Sequence, residues 1–396
     1  MLHIKPFRGI PARLRRASGQ SPAAPVYFAP AIFQRPSDHA ILPMFTGQLP
    51  FAQSHHHPYI ALAPMEGLMD HHLRNILTRV GGIDHCVTEF IRVTRQVYPA
   101  KVFRRYCPEL NHPGEKRGRT AAGTPVHVQL LGSDPELMAA NARKVAMLGA
   151  PAIDLNFGCP AKTVNNSQGG AVLLQYPELL NRIATAVRTA VPAHIPVSAK
   201  MRLGFTDKEL ALTNAQALAE AGIQWLTVHA RTKTEGYRPP AYWDWIARIR
   251  EAIDIPVLAN GEIWTAEQAR QCMSDSGSDL LMIGRGLVAV PDLALRIKAD
   301  HGEITHTQQS WTGHLELMRA LIPCLAHLPD KAQTDRLKQW LHYFSLQSLE
   351  IRAVFEQVKR QRDVALFFAG LDQAIRDVKA APPATGDFTA YEHKGF

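Results

Sequence analysis

The chain has 396 residues, 46% of them apolar, and a formal net charge of +9. That is enough for one large core with an appendage, or for two or three domains, and no run of about 18 apolar residues is present to cross a membrane. Five scattered cysteines without a CxxC pair argue against a disulfide framework and a structural zinc site, and fit a reducing cytosol.

Residues 1–57 differ from the rest. They are rich in Pro, Ala, Ser and Arg, and carry six Lys or Arg against Asp38 alone, which is five of the nine net charges. They read as a disordered basic extension, with an organellar transit peptide or an over-extended start as alternatives. His55-His56-His57 reads as solvated linker rather than a metal site, because three adjacent histidines cannot all face one ion. The body that follows is close to balanced, so any surface for a polyanion there must be a local patch.

From Tyr59 onward, short apolar segments alternate with helical ones. The expected strands are Tyr59–Ala63, Ile83–Glu89, Pro125–Leu131, Ala152–Leu155, Pro196–Met201, Trp225–His229, Pro256–Ala259 and Asp279–Ile283. Between them, Pro135–Leu148, Pro177–Ala190, Lys208–Ala221 and Thr265–Ser274 have helical spacing. Proline sits at the start of the first two and Gly222 follows the third, the usual asymmetry of helix ends. Eight βα units in about 240 residues predict an α/β chain folded as a (β/α)8 TIM barrel over residues 58–300. The competing doubly wound sheet lacks a GxGxxG after its first strand.

After residue 295 the alternation stops. Trp311–His327 and Asp335–Arg362 carry apolar residues at helical spacing, predicting a small helical domain over 301–379 and a frayed tail over 380–396. Arg336 and Lys338, then Lys359, Arg360 and Arg362, form basic groups that suit phosphates or simply a solvated helix face.

The strand ends carry the chemistry, since active sites of this barrel lie there. Ile153 to Lys162 reads as a strand ending in a loop with an amide, Asn156, a thiol, Cys159, and an ammonium, Lys162. Such a cysteine suits proton or nucleophile chemistry; its plain alternative is a small buried hydrophobe. Asn260-Gly261-Glu262 and Gly284-Arg285-Gly286 form the corner where such barrels bind phosphate. Lys200 would be a cation beside a flavin's N1–C2 edge, Gln129 would pair with its pyrimidine edge, and Pro64–Met65 would cover the ring. FMN fits this set; another phosphosugar ligand would use the same corner.

The motifs APMEG (63–67), TEFIRV (88–93), VQLLG (128–132), DLNFGCPAKTVNNSQGGAVLL (154–174), KMRLG (200–204), VHARTKTEGY (228–237), NGEI (260–263) and MIGRG (282–286) resemble, in order, those of the tRNA-dihydrouridine synthases. The likeness spans roughly residues 59–365. Their spacing and RLKQWL (336–341) are most similar to the bacterial C-type subgroup, which acts at position 16 of the tRNA D-loop.

The resemblance implies a cytoplasmic, monomeric, metal-free enzyme that uses FMN and NADPH to reduce a uracil C5=C6 bond in tRNA. Hydride would pass from FMN N5 to C6, and Cys159 would protonate C5. Pro64, Met65, Glu66, Gln129, Lys200, His229, Asn260, Gly261, Glu262, Gly284 and Arg285 would bind FMN. Arg92, Asn156, Arg202 and Lys338 would contact tRNA or the target uridine. Phe157 departs from the second cysteine or small residue common in relatives, and Ser345 stands where a basic residue is expected. A small-molecule dihydropyrimidine or dihydroorotate-type flavin reductase and a non-catalytic tRNA-binding protein are the alternatives. The first has no use for a basic helical domain, and the second none for the cysteine and flavin motifs.

Overall fold

The structure is a computed structural model that describes residues 45–52 and 58–380. Its centre is a closed barrel of parallel strands. These are β1 Tyr59–Leu62, β2 His85–Val87, β3 Ile91–Arg92, β4 Val126–Leu131, β5 Ile153–Phe157, β6 Val197–Arg202, β7 Trp225–His229, β8 Val257–Asn260 and β9 Leu280–Ile283. Going round the ring, β1 pairs with β2, both β2 and β3 pair with β4, each strand from β4 to β9 pairs with the next, and β9 pairs with β1. The expected TIM barrel is the observed fold.

One expected strand is broken. Ile83–Glu89 was to run straight through; instead β2 ends at Val87 and the two-residue β3 resumes the pairing to β4. At the break the Gln129 N–H donates to the Thr88 hydroxyl rather than to a carbonyl, at 3.0 Å. A side chain thus fills the ladder position, and the backbone is free to turn Glu89 and Phe90 toward the rim.

Burial follows the pleat. Tyr59, Ala61, Val87, Ala152, Trp225, Leu258 and Met282 pack inside the barrel, while alternate residues pack beneath the helices. Residues 45–52, expected to belong to a disordered extension, are packed: Phe51 lies edge-on to Tyr59 and Trp225, at 5.9 and 5.8 Å, and joins the interior cluster. Residues 1–44 and 53–57, with the histidine triplet, and the tail 381–396 lie outside the described residues.

The helices Pro135–Met147, Pro177–Ala190, Ala211–Glu220 and Ala266–Ser276 fall where spacing put them. The predicted Asp335–Arg362 stretch is two helices, Asp330–Phe344 and Leu349–Val358. The break is chemical: Ser348 caps the second by accepting from Ile351 N at 3.1 Å, and Ser345 donates to the His342 carbonyl at 2.7 Å. A further helix, Val364–Ala380, packs on Leu349–Val358. The helical segment is pinned to the barrel by Trp340 Nε1, which donates to the Val288 carbonyl at 3.0 Å, and by Arg336, which reaches Asp70 Oδ2 at 2.9 Å.

A buried ion pair holds the first βα unit. Arg74 on the helix His71–Val80 donates through Nε and Nη2 to both Glu109 oxygens, each at 2.7 Å, and both side chains are almost wholly buried. Arg74→Met should destabilise the protein by roughly 3–5 kcal/mol, because the Glu109 carboxylate is left buried and unpaired. Urea titration checks this, and the double variant with Glu109→Leu should recover much of the loss. A single variant as stable as wild type would contradict the assignment.

Candidate active site

The site lies at the C-terminal ends of the strands. Along β5 the pleat turns Asp154 and Asn156 into the barrel and Leu155 outward. Asp154 accepts from Ser198 Oγ and from Gln129 Nε2, both at 2.6 Å. Gln129 Oε1 accepts from Asn156 Nδ2 at 2.7 Å. Asn156 Oδ1 then accepts from the backbone N–H groups of Gly158 and Cys159, both at 2.9 Å. Burial raises the Asp154 carboxyl above its usual range while the bonds from Gln129 and Ser198 oppose that rise; Gln129 presents its amide nitrogen to it, and each later amide follows. The chain ends on the cysteine's own backbone.

Cys159 is 7% exposed and packs with Leu131, Val164, Phe90 and Ala161. Burial pushes its thiol above the ordinary value of 9.0, with Glu66 adding to the shift and Arg202 and Arg92 opposing it. It is a protonated thiol at neutral pH. Asn165 Nδ2 donates to the Cys159 carbonyl at 3.0 Å, so the loop is held from both sides.

Across the mouth, Lys200 Nζ donates to Asn260 Oδ1 at 2.9 Å, and Asn260 Nδ2 donates to the Met282 carbonyl at 2.7 Å. Burial, then the neighbouring Arg202, lower the Lys200 ammonium from 10.5 to about 7. Asp154 opposes that fall, and Lys200 is poised to titrate near neutral pH. Burial lowers the His229 imidazole well below its usual range, and Arg202, Lys200, Arg231 and Arg285 lower it further. Three arginines and the titrating Lys200 therefore converge on one neutral histidine.

Asn260-Gly261-Glu262 and Gly284-Arg285 lie together where β8 and β9 end. Gly261 has φ 126°, and a Cβ there would meet His229 Cδ2 at 2.9 Å, so glycine is required on both counts. A Cβ on Gly284 would meet Met65 Sδ at 3.2 Å, which places the Pro64–Met65 loop over this corner. Trp243 Nε1 donates to the Gly261 carbonyl at 2.9 Å. Glu262 sits at φ 58°, uncommon for a non-glycine, and is anchored by Arg231 at 2.5 Å, with Arg285 at 3.7 Å. The Arg285 guanidinium lies between the Tyr237 and Trp264 rings, at 4.8 and 4.9 Å. Its remaining donors and the buried, unpartnered Nη1 of Arg231 suit an anion.

Several expected contacts are already committed within the protein. Arg202 Nε donates to the Gly158 carbonyl at 2.9 Å and Nη1 to the Thr232 and Gly236 carbonyls at 3.1 and 2.9 Å. Both acceptor positions of Asn156 are filled, leaving one amide hydrogen, so a matched donor–acceptor grip on a base edge is not available from it. Arg92 Nη2 donates to the Thr163 carbonyl at 3.3 Å. Lys338 is drawn away from any outer surface: it donates to the Gln361 carbonyl at 2.9 Å and pairs with Asp335 at 3.0 Å. Glu66, expected beside a flavin, is exposed and lines a rim cavity with Glu89 and Arg92. Ser345 is buried.

Spacing alone missed Asp154, Ser198, Arg231 and Tyr237. Tyr237 is 42% exposed, and its ring lies 5.8 Å from His229 and 5.1 Å from the Arg202 guanidinium. Its only signal was membership of the loop after β7. Among the described residues no group of three or more His, Cys, Asp or Glu could hold a metal ion.

The family profile described as dihydrouridine synthase matches residues 61–378. The tRNA-dihydrouridine(16) synthase of Pseudomonas putida is 53% identical over 307 residues, 77% of this chain and 94% of that protein. The protein of the same name from Cupriavidus necator is 48% identical over 317 residues, covering 79% and 97%. That from Neisseria meningitidis serogroup B is 45% identical over 307 residues, covering 77% and 91%. Among solved structures, an old yellow enzyme homologue from Zymomonas mobilis overlaps 63% of this chain with a TM-score of 0.43 at 13% identity, too distant to bear on chemistry.

Proposed function

Given that the chain belongs to the dihydrouridine synthase family, we propose that it is a flavin-dependent oxidoreductase that reduces the C5=C6 bond of uridine 16 in the tRNA D-loop. FMN is the proposed cofactor and NADPH its reductant; when bound, FMN supplies the hydride for C6. The observation that carries the reading is Cys159. It is a thiol kept protonated by burial, held by Asn156 and Asn165, at the rim of a mouth where three arginines and Lys200 converge.

The residues fit an anionic mononucleotide. Arg285, with Gly261, Glu262 and Gly284, would hold the phosphate. Lys200, Asn260 and His229 would hold the ring's polar edge, Gln129 would use its remaining amide hydrogen and lone pair, and Pro64 and Met65 would cover the ring. Lys200, poised near 7, becomes fully charged beside an anion and so stabilises negative charge where it develops. Cys159 acts as general acid, giving its proton to uracil C5. Asn156 positions the cysteine loop, and Arg202 ties that loop to the one after β7. Tyr237 offers a ring face at the mouth for the flipped base.

In this reading residues 58–300 are the catalytic barrel and 301–379 a separate helical domain that grips tRNA by shape and phosphate. With Lys338 internally paired, exposed Arg360 and Arg362 are the better phosphate donors there. No described helix is long and apolar enough to cross a membrane, and a cytoplasmic monomer acting on free tRNA is proposed.

The test is to delete the gene and map dihydrouridine across the D-loop at nucleotide resolution. Loss at position 16 alone, restored by the wild-type gene, supports the reading. Loss elsewhere would keep the chemistry and reject the position, and no loss would favour a small-molecule reductase. The acid role also fixes a pH profile. The thiol's value is raised, so turnover should hold from neutral pH to about 9 and fall only above it. A fall beginning near pH 7.5 would assign the proton to another group.

A further inference from the structure

A cavity of about 380 Å³ opens on the rim beside the cysteine loop, away from the phosphate corner. Its walls come from the loop after β1, the β2–β3 break, the end of the helix Ala100–Tyr106, and Thr163 and Val164. Phe90 and Val164 line it and also pack against Cys159, so the cavity and the thiol share a wall. The volume is at the low end for small-ligand sites, enough for one nucleoside.

Its chemistry is mixed. Glu66 has no hydrogen bond or ion pair among the described residues, and Glu89 uses one oxygen to accept from Gly67 N–H. Asp70 is spent on the cap of His71–Val80 and on Arg336. Two carboxylates thus offer open acceptors. Arg105 is exposed and unpaired among the described residues, and Arg92 spends only Nη2 on a carbonyl. Half-buried Phe90 and Tyr106 supply ring surface.

Resting on the function proposed above, we propose that this cavity seats a second nucleobase of the substrate RNA, one flanking the reduced uridine, with hydrogen-bond donors on its edge, guanine foremost. A guanine edge presents N1–H and the N2 amine together, which matches a carboxylate. Uracil presents two carbonyls and one N–H, and would set lone pairs against Glu66 and Glu89. Arg92 and Arg105 then take the adjacent phosphates. Three acids against two arginines make the cavity a poor site for a dinucleotide cofactor, whose phosphates carry several negative charges.

The experiment uses full-length protein with bound flavin and tRNA transcripts in which each neighbour of the target uridine is replaced singly by each other base. At one neighbour, guanine should be turned over roughly ten- to a hundredfold better than uracil, in kcat/KM. Glu89→Gln keeps an oxygen for Gly67 N–H and should collapse that ratio toward one. Arg105→Ala should weaken all transcripts alike and lower the salt slope of binding by about one. No flanking preference, a preference that survives in Glu89→Gln, or a raised KM for NADPH in Arg105→Ala would each overturn the proposal. Should wild type reduce no transcript at all, the function proposed above fails. The cavity is then judged by guanosine 5′-monophosphate against uridine 5′-monophosphate: preference lost in Glu89→Gln supports it, and equal binding rejects it.

Discussion

Cys159→Ala is expected to lower the rate of dihydrouridine formation by about 10²- to 10⁴-fold, the usual contribution of a positioned general acid. The protein should still fold and keep its yellow cofactor. Alanine is tolerated sterically, because the thiol packs in a small apolar cluster of Leu131, Val164, Phe90 and Ala161. The loop hydrogen bonds from Asn156 run to backbone N–H groups and do not depend on the side chain. Reduction of the bound flavin by NADPH should proceed at the wild-type rate while its reoxidation by tRNA stalls. Single-turnover stopped-flow absorbance separates the two halves. Unchanged reoxidation by tRNA would remove Cys159 from the chemistry, whereas loss of flavin would mean the substitution had damaged the mouth.

Lys200→Met is expected to have two effects of opposite sign. In flavin-free protein at pH 6.5 the variant should be the more stable. Lys200 has its value lowered from 10.5 to about 7, so below pH 7 the folded state carries a charge that burial disfavours. Between about pH 7 and 10.5 the unfolded chain binds that proton and the folded chain largely does not, so wild-type stability rises with pH across this window. The full cost below pH 7 is at most about 5 kcal/mol. Methionine removes it but leaves Asn260 Oδ1 without its donor, a loss of about 1–3 kcal/mol. A net gain of roughly 2 kcal/mol therefore remains at pH 6.5 and shrinks toward pH 10. Turnover should fall by about 10²- to 10³-fold, because the cation proposed to stabilise charge at the ring's edge is gone. Thermal melts of both proteins at the two pH values, with turnover alongside, check this. A variant less stable than wild type at pH 6.5 would show that Lys200 is structurally compensated already.

The barrel was legible because it is written in local signals. Apolar runs at regular intervals, prolines at helix starts and polar residues at strand ends are readable without knowing what touches what. The cysteine loop and the corner proposed for phosphate could be picked out for the same reason: Asn156-Phe157-Gly158-Cys159 and Asn260-Gly261-Glu262 are contiguous. The helical segment was less so. Its apolar spacing ran unbroken through Ser345 and Ser348, and only the side-chain bonds of those serines separate two helices.

What sequence could not supply is the allocation of hydrogen bonds between distant residues. Arg336 and Lys338 look alike in sequence, as basic residues on one helix. The fold directs Arg336 to Asp70 on the barrel and Lys338 to Gln361 within its own segment. Asn156 read as a substrate contact, yet Gln129 and the loop backbone take most of its capacity, the first a consequence of β4 and β5 lying side by side. Tyr237 and Arg231 became site residues only when closure of the barrel set β7 beside β8, with Arg285 after β9 completing the group. The protonation of Lys200 is likewise a property of the closed barrel, since burial and the approach of Arg202 set it. Residue identity determines which groups are available for chemistry, and long-range packing determines which of them remain free for a substrate.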